Sequence, residues 1–218
     1  MKVTLTFDNG PHPVGTPIVL DTLEKHAVKA TFFLLGSQLA DNNNVALAQE
    51  TAGCGHLIGN HTYSHNEALG LMADQQAALR EITDTAAILA PFASQPRLFR
   101  PVGKKGMIGP HLFSNETWSY LSAERYDCLL WNCLTREWER EESWLEPTLA
   151  DMSQRPWSVV VLHDVYPAAM RHVDRFIQEL KAQGAQFTQE FPDDCVAMRG
   201  GSTTILGKAL RDAATANA

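Results

Sequence analysis

Apolar residues fall into two patterns that alternate along the chain. In the first, apolar side chains occupy every second position of residues 3–7, and the run ends at Asp8 and Asn9, directly before Gly10-Pro11. A period of two is typical of a β-strand, and a Gly-Pro pair marks the end of one. The sequence therefore predicts a first strand that carries Asp8 and Asn9 at its C-terminal end.

The second pattern places apolar residues three and four positions apart, as on one face of a helix. Such stretches separate the predicted strands, which indicates an α/β fold with a parallel sheet. Seven strands favour a closed or nearly closed barrel over an open, doubly wound sheet. Strands are predicted at residues 3–7, 30–36, 56–60, 96–100, 126–134, 157–163 and 185–188, and helices at 17–28, 37–52, 74–89, 111–122, 143–153 and 167–183.

Composition indicates a globular chain with one large core. It has 218 residues, 44% of them hydrophobic, so we assign residues 1–200 to a single domain and 201–218 to a C-terminal tail with at most one helix. The formal net charge of −7 argues against a nucleic-acid or anionic-membrane partner. The apolar runs are too short to span a bilayer, and no signal-peptide pattern follows Met1, so we expect a cytoplasmic location.

The chain has four cysteines without the spacing of a redox or zinc motif. Unpatterned cysteines usually pack as small hydrophobic residues. We therefore expect free thiols, partly buried, at Cys54, Cys128, Cys133 and Cys195.

Ionisable residues stand at the C-terminal ends of several predicted strands, where parallel barrels collect their catalytic groups. Taken alone, Asp8-Asn9-Gly10 is also an ordinary turn sequence. Two histidines four residues apart would face the same way on one helical turn and can share a metal. The combination predicts an active site that includes Asp8, His61, His65, Arg100, Glu137 and His163.

Five segments resemble, in order, the five motifs of the polysaccharide deacetylase family, also known as carbohydrate esterase family 4 or the NodB homology domain. They are TFDNGP at residue 6, HTYSH at residue 61, RPVG at residue 100, WNCLTREW at residue 131 and VLHD at residue 161. The resemblance covers residues 1–188 and implies a distorted (β/α)7-type barrel. It also implies a carbohydrate substrate, from which a metal-dependent hydrolase removes N- or O-acetyl groups.

The resemblance implies the catalytic roles. Asp8 would be the general base, and Arg100 would orient its carboxylate. His163 would be the general acid, and Glu137 would stand where an aspartate usually tunes that histidine.

The resemblance also implies a divalent metal, most often Zn²⁺, with Co²⁺, Ni²⁺ or Mn²⁺ as alternatives. Its ligands would be Asn9, His61 and His65. The family usually has an aspartate at the position of Asn9, and a neutral amide predicts weaker metal binding. The residues that would line the substrate pocket are Trp138, Leu162 and Pro101.

Two alternatives to an active deacetylase stay open. One is a catalytically weak or silent member that binds glycan, suggested by Asn9 and Glu137. The other is an amidase that acts on a small cyclic amide or ureide. The glycan, the choice between N- and O-acetyl, the native metal and the oligomeric state also stay open.

Overall fold

The computed structural model describes residues 1–216, which contain ten strands and eight α-helices. The strands are β1 (Lys2–Asp8), β2 (Thr31–Leu34), β3 (Leu57–Asn60), β4 (Leu98–Phe99), β5 (Asp127–Leu129), β6 (Cys133–Leu134), β7 (Trp157–His163), β8 (Gln186–Phe187), β9 (Val196–Arg199) and β10 (Ser202–Thr203). The helices are α1 (Gly15–Lys25), α2 (Asn42–Gly53), α3 (Gln75–Leu89), α4 (Asn115–Ala123), α5 (Leu145–Met152), α6 (Pro167–Met170), α7 (Val173–Ala182) and α8 (Ile205–Ala216).

The chain divides into two compact units, each built from three segments. The first comprises Met1–Leu34, Gln38–Ile58 and Trp131–Glu190, and the second comprises Leu35–Ser37, Gly59–Leu130 and the chain from Phe191 onward.

In the first unit, β1 is the central strand of the order β2-β1-β7-β6, and all of these neighbours pair in parallel. β8 pairs with the beginning of β1. Residues 3–8 of β1 are buried on both faces, as expected for a strand covered on two sides. The register sets Asp8 opposite Phe33 of β2 and His163 of β7, so the carboxyl ends of three strands lie level.

In the second unit, β3, β4 and β5 pair in parallel, and β9 and β10 continue the order in antiparallel fashion. α8 packs on β9 so closely that a side chain at Gly207 would meet the backbone oxygen of Ala197. The segment predicted as a tail, 201–218, therefore contributes a short strand and a packed helix. Its last two residues, 217–218, lie outside the described residues.

The alternation of strands and helices confirms the predicted α/β class, but some boundaries were wrong. The stretch 126–134, predicted as one strand, forms β5 and β6 with a break between them. The break arises because the backbone changes partners: Leu130 N–H donates to Cys195 O, whereas Asn132 N–H donates to Val159 O. The predicted helix 167–183 is likewise interrupted, between α6 and α7.

Two expectations from the sequence concern the cysteines and the length of the helices. The four cysteines are free, as expected; Cys54 is exposed, and the other three are buried. Every helix described between residues 1 and 216 is too short or too polar to cross a membrane.

Candidate active site

Asp8 and Asn9 lie where β1 ends. Asp8 is 3% exposed, and Asn9 turns the chain with a φ of 73°, a left-handed conformation that asparagine tolerates better than most residues. Its N–H donates to Phe33 O at 3.2 Å, which keeps the turn attached to β2. The side-chain oxygen Oδ1 of Asn9 is buried without a hydrogen-bond partner. An acceptor in that condition is costly unless something else binds it.

Asp164, the residue after β7, is fully buried against this turn. A Cβ on Gly10 would come within 2.4 Å of its Oδ2, so a side chain there would force the buried carboxyl to shift. The hydroxyl of Thr16 donates to the same oxygen at 2.5 Å, while Oδ1 of Asp164 is buried without a partner. Burial raises the pKa of Asp164 to about 7, although the hydrogen bond from Thr16 and the charge of His163 oppose the shift.

His163, the last residue of β7, is held by Glu137. One carboxylate oxygen, Oε1, lies 2.7 Å from Nδ1 of His163 and accepts the His163 backbone N–H at 2.7 Å. The other oxygen contacts the hydroxyl of Thr135. Glu137 has no solvent exposure, so the glutamate that replaces the usual aspartate still reaches the imidazole from a buried position.

The environment of His163 favours its protonated form. Burial by itself lowers the pKa of His163, but the hydrogen bond and charge of Glu137, together with the charges of Asp8 and Asp164, outweigh it and raise the pKa above the ordinary histidine value. The indole of Trp138 stands edge-on to the imidazole, with ring centroids 5.0 Å apart. Leu162, the preceding residue of β7, is fully buried.

In the second unit, His61 and His65 flank a loop and not the helical turn that their spacing suggested. Thr62 and His65 have φ values of 71° and 57°, which excludes a right-handed helix. The imidazoles nevertheless come together, with ring centroids 5.0 Å apart and an angle of 57° between their planes. The two imidazoles are therefore close, as predicted, but a loop and not a helical turn brings them together.

Arg100 follows β4 in the second unit and is fully buried. Its guanidinium donates to Leu129 O at 3.2 Å and to Leu130 O at 3.1 Å, and its own carbonyl oxygen lies 2.8 Å from Nδ1 of His61. Pro101, next in the chain, is also buried. Arg100 thus fixes the end of β5 and, through its backbone, the ring of His61.

Known proteins that are similar to the chain agree with the resemblance. A family model described as polysaccharide deacetylase matches residues 1–106. The chitooligosaccharide deacetylase of Sinorhizobium fredii is 32% identical over 76% of this chain and 73% of its own. The chain belongs to the polysaccharide deacetylase family.

Two further comparisons, with a curated relative and with a solved structure, extend this result. A peptidoglycan-N-acetylglucosamine deacetylase of Bacillus cereus is 31% identical over 85% of this chain, which spans 66% of that relative's length. The crystal structure of the Bc1960 peptidoglycan N-acetylglucosamine deacetylase aligns with a TM-score of 0.70 at 31% identity, covering 86% of this chain and 85% of the other. This likeness confirms the predicted distorted (β/α) barrel type of α/β fold.

The side chains of His61, His65 and Asn9 carry donor atoms that suit a divalent cation. A carbonyl oxygen only accepts, so Nδ1 of His61 carries the proton in the neutral ring, and its lone pair lies at Nε2. The ring centroids of His61 and His65 are 5.0 Å apart, close enough for the two imidazoles to bind one cation. The unpartnered Oδ1 of Asn9 is a suitable oxygen donor.

The described residues contain no cluster of three or more His, Cys, Asp or Glu side chains arranged to hold a metal. Taken one by one, the two imidazoles and the amide oxygen are donors of the kind that a divalent cation accepts.

Several side chains that support these groups carried no sequence signal. Thr16 and Thr135 bond carboxylates 148 and 2 residues away in the chain, and Glu81 bonds a loop 17 residues away. None of these spacings belongs to a motif. Asp164 stands inside the VLHD segment, so it was visible, but its contact with Gly10 depends on the pairing of β1 with β7.

Proposed function

We propose that the chain is a metal-dependent hydrolase that removes the acetyl group from an N-acetylated carbohydrate. The observation that supports this most strongly is the pair formed by His163 and the buried Glu137, level with Asp8 on the neighbouring strand. An amine cannot leave as an anion, so amide hydrolysis needs a proton donor as well as a base. A histidine with a raised pKa beside an aspartate provides both kinds of group.

The residues divide the reaction between them. Asp8 accepts a proton from the attacking water, and His163, protonated and held at Nδ1 by Glu137, donates one to the leaving amine from Nε2. The residues proposed to surround the acetyl methyl group are Trp138, Leu162 and Pro101. When bound, a divalent cation polarises the acetyl carbonyl and makes water more acidic.

We propose that His61, His65 and Asn9 bind this cation, with Zn²⁺ the first candidate. Imidazole nitrogen and amide oxygen suit a borderline cation such as zinc. With Asn9 in place of a carboxylate, the ligand set is neutral, which weakens the hold on the metal and leaves the cation a stronger Lewis acid. Arg100 is proposed to orient the carboxylate of Asp8.

Acetate release tests the proposal. The purified protein, loaded with Zn²⁺ or Co²⁺, should release acetate from N-acetylated chitooligosaccharides or peptidoglycan fragments. His163→Ala and Asp8→Ala should each lower the rate by about 100-fold or more. His172→Ala, a histidine paired with Glu142 near the surface, is the matched control and should retain the parental rate. Metal-loaded protein that releases no acetate from either substrate contradicts the proposal.

A second candidate function is favoured by Asn9. A neutral ligand at this position suits a family member that holds glycan without hydrolysing it. Such a protein would bind chitooligosaccharide with an affinity that chelator does not change, and would release no acetate. Chelator-sensitive turnover would exclude it.

A further inference from the structure

The loop between His61 and His65 needs outside support. Thr62 and His65 both have positive φ values, 71° and 57°, and neither is glycine. Such residues cost free energy and persist only where neighbouring contacts determine the backbone. The contacts that hold this loop therefore decide where the two imidazoles lie.

Glu81 of α3 makes the strongest of these contacts. Its Oε2 accepts the backbone N–H groups of Tyr63 at 2.9 Å and Ser64 at 2.8 Å. Its Oε1 accepts the hydroxyl of Ser64 at 2.8 Å. Hydrogen bonds to an ionised carboxylate are shorter and stronger than neutral ones. Both carboxylate oxygens of the half-buried Glu81 thus accept hydrogen bonds from two consecutive loop residues.

Backbone hydrogen bonds hold the loop on its other side. Thr62 O accepts the N–H of Gly36 at 3.1 Å, and Tyr63 O accepts the N–H of Ser37 at 2.9 Å. Asn60 ties the loop to α3 a second time, because its Oδ1 accepts Thr62 N–H and its Nδ2 donates to Ile82 O. Glu81 is the charged group in this frame, and its carboxylate is what bonds the loop directly before His65.

We propose that Glu81 is a positioning residue that fixes the separation and orientation of His61 and His65 for a shared divalent cation. The inference rests on the proposed function, since that function assigns the cation to these histidines. Glu81 contacts neither imidazole in the bonds described above; it acts through the backbone of Tyr63 and Ser64. Supporting partners of this kind typically change metal affinity by about 10–100-fold when removed.

Three variants of the full chain test this role. Glu81→Ala removes all three bonds. Glu81→Gln keeps them in altered form, because the amide oxygen accepts both backbone N–H groups and the amide nitrogen donates to Ser64 Oγ. Asp84→Asn makes the same change of carboxylate to amide at an exposed position of the same helix. The probe is Co²⁺, followed by its absorption spectrum and by competition with a chelator.

Glu81→Ala should bind Co²⁺ about 10–100-fold more weakly and show an altered ligand-field spectrum, while Glu81→Gln and Asp84→Asn should stay within about threefold of the parent. In metal-free protein, the Tyr63 and Ser64 amides should exchange with solvent faster in Glu81→Ala. If Glu81→Ala fails to fold, Ser64→Ala, which removes one of the three bonds, should give a smaller loss of affinity.

The outcomes separate this inference from the proposed function. A parent that binds Co²⁺, with Glu81→Ala or Ser64→Ala binding it equally well, overturns the role of Glu81 alone. A parent that binds no Co²⁺ overturns the metal assignment and this inference together. Equal weakening in Glu81→Ala and Asp84→Asn would show a general effect of charge and would also overturn it.

Discussion

At the scale of single residues, the turn after β1 depends on the absence of a side chain at Gly10. A methyl group there would lie 2.4 Å from Oδ2 of Asp164, a short buried side chain already bonded to Thr16. We expect Gly10→Ala to lower the free energy of unfolding by about 1–3 kcal/mol, the usual cost of overpacking. Urea unfolding measures it. Gly53→Ala, in a helix with no atom near the added methyl group, is the control and should be neutral or stabilising.

Asp164 gives the fold a dependence on pH. Because its pKa is raised to about 7, the folded protein holds a proton between the ordinary carboxyl value and about pH 7 that the unfolded chain has lost. Stability therefore falls as the pH rises through that range. Asp164→Asn cannot titrate, so it should gain stability relative to the parent above pH 7, on the order of a few kcal/mol.

Urea unfolding at pH 5, 6, 7 and 8 measures the difference between the parent and Asp164→Asn. The exposed Asp21→Asn in α1 serves as the control and should follow the parent at every pH. A constant difference between Asp164→Asn and the parent would contradict a buried carboxyl that titrates near neutrality.

Glu137 raises the pKa of His163, which gives the fold a second dependence on pH. In Glu137→Gln the charge that raises the pKa of His163 is gone and burial remains, so that pKa should fall below the parental value. The pair stabilises the folded parent below the ordinary histidine pKa, and this contribution is lost as the pH rises through the higher folded value. At acidic pH the variant should therefore be less stable by about 1.5–3 kcal/mol.

NMR titration of the histidine ring protons measures the pKa of His163 directly. Glu139→Gln, which alters an exposed pair with Arg136, should leave it unchanged. An unchanged pKa in Glu137→Gln would show that Glu137 does not control the histidine.

At the scale of elements, α1 begins without an ordinary cap. Val14 at the N-cap position makes no side-chain hydrogen bond, and instead Nδ1 of His12 accepts the N–H groups of Val14 at 3.2 Å and Gly15 at 3.1 Å. We expect His12→Ala to destabilise the fold by about 0.5–2 kcal/mol, as for loss of a cap. Thermal unfolding checks this, with Asp41→Ala, the N-cap of α2, as a comparison of similar size. No loss in His12→Ala would show that water replaces the imidazole.

The elements that could be predicted from sequence are those with a long, regular pattern. β1, β7 and α3 were found because their apolar periods extend over seven residues or more. β9 and β10 were missed because no α-helix separates them from the strand before, so they lie outside the alternation of strands and helices on which the prediction relied. The loop 61–65 was interpreted through helical spacing, and the left-handed backbone that shapes it follows from contacts with Glu81 and Asn60, which no local pattern reveals.

At the scale of the whole molecule, the order of the motifs carried more information than any one of them. The sequence predicted Glu137 and His163 as partners, and Glu137 Oε1 lies 2.7 Å from Nδ1 of His163. The buried carboxyl of Asp164 and its contact with Gly10 were outside such reasoning, because that contact joins residues 154 positions apart. Long-range pairing of parallel strands determines these contacts, and a single sequence gives their order but not their distances.

At Asn9, a change of amide to carboxylate adds one negative charge beside the proposed cation. Asn9→Asp and Asn43→Asp each change the formal charge from −7 to −8, but Asn43 lies at the exposed start of α2. If Oδ1 of Asn9 is a ligand, Asn9→Asp should bind Co²⁺ and Zn²⁺ more tightly by about tenfold or more, since a unit charge near 4 Å from another contributes about 4 kcal/mol at an intermediate dielectric. Asn43→Asp should bind as the parent does.

Without metal, Asn9→Asp should be less stable than the parent, because a second carboxylate is then placed beside the buried Asp8. Added Zn²⁺ should reverse that loss, whereas Asn43→Asp should respond to metal as the parent does. Chelator competition measures the affinities, and thermal unfolding with and without Zn²⁺ measures the coupling. Equal metal affinity in the parent and in Asn9→Asp would remove Asn9 from the ligand set, because a carboxylate that gains nothing from the cation is not bound to it.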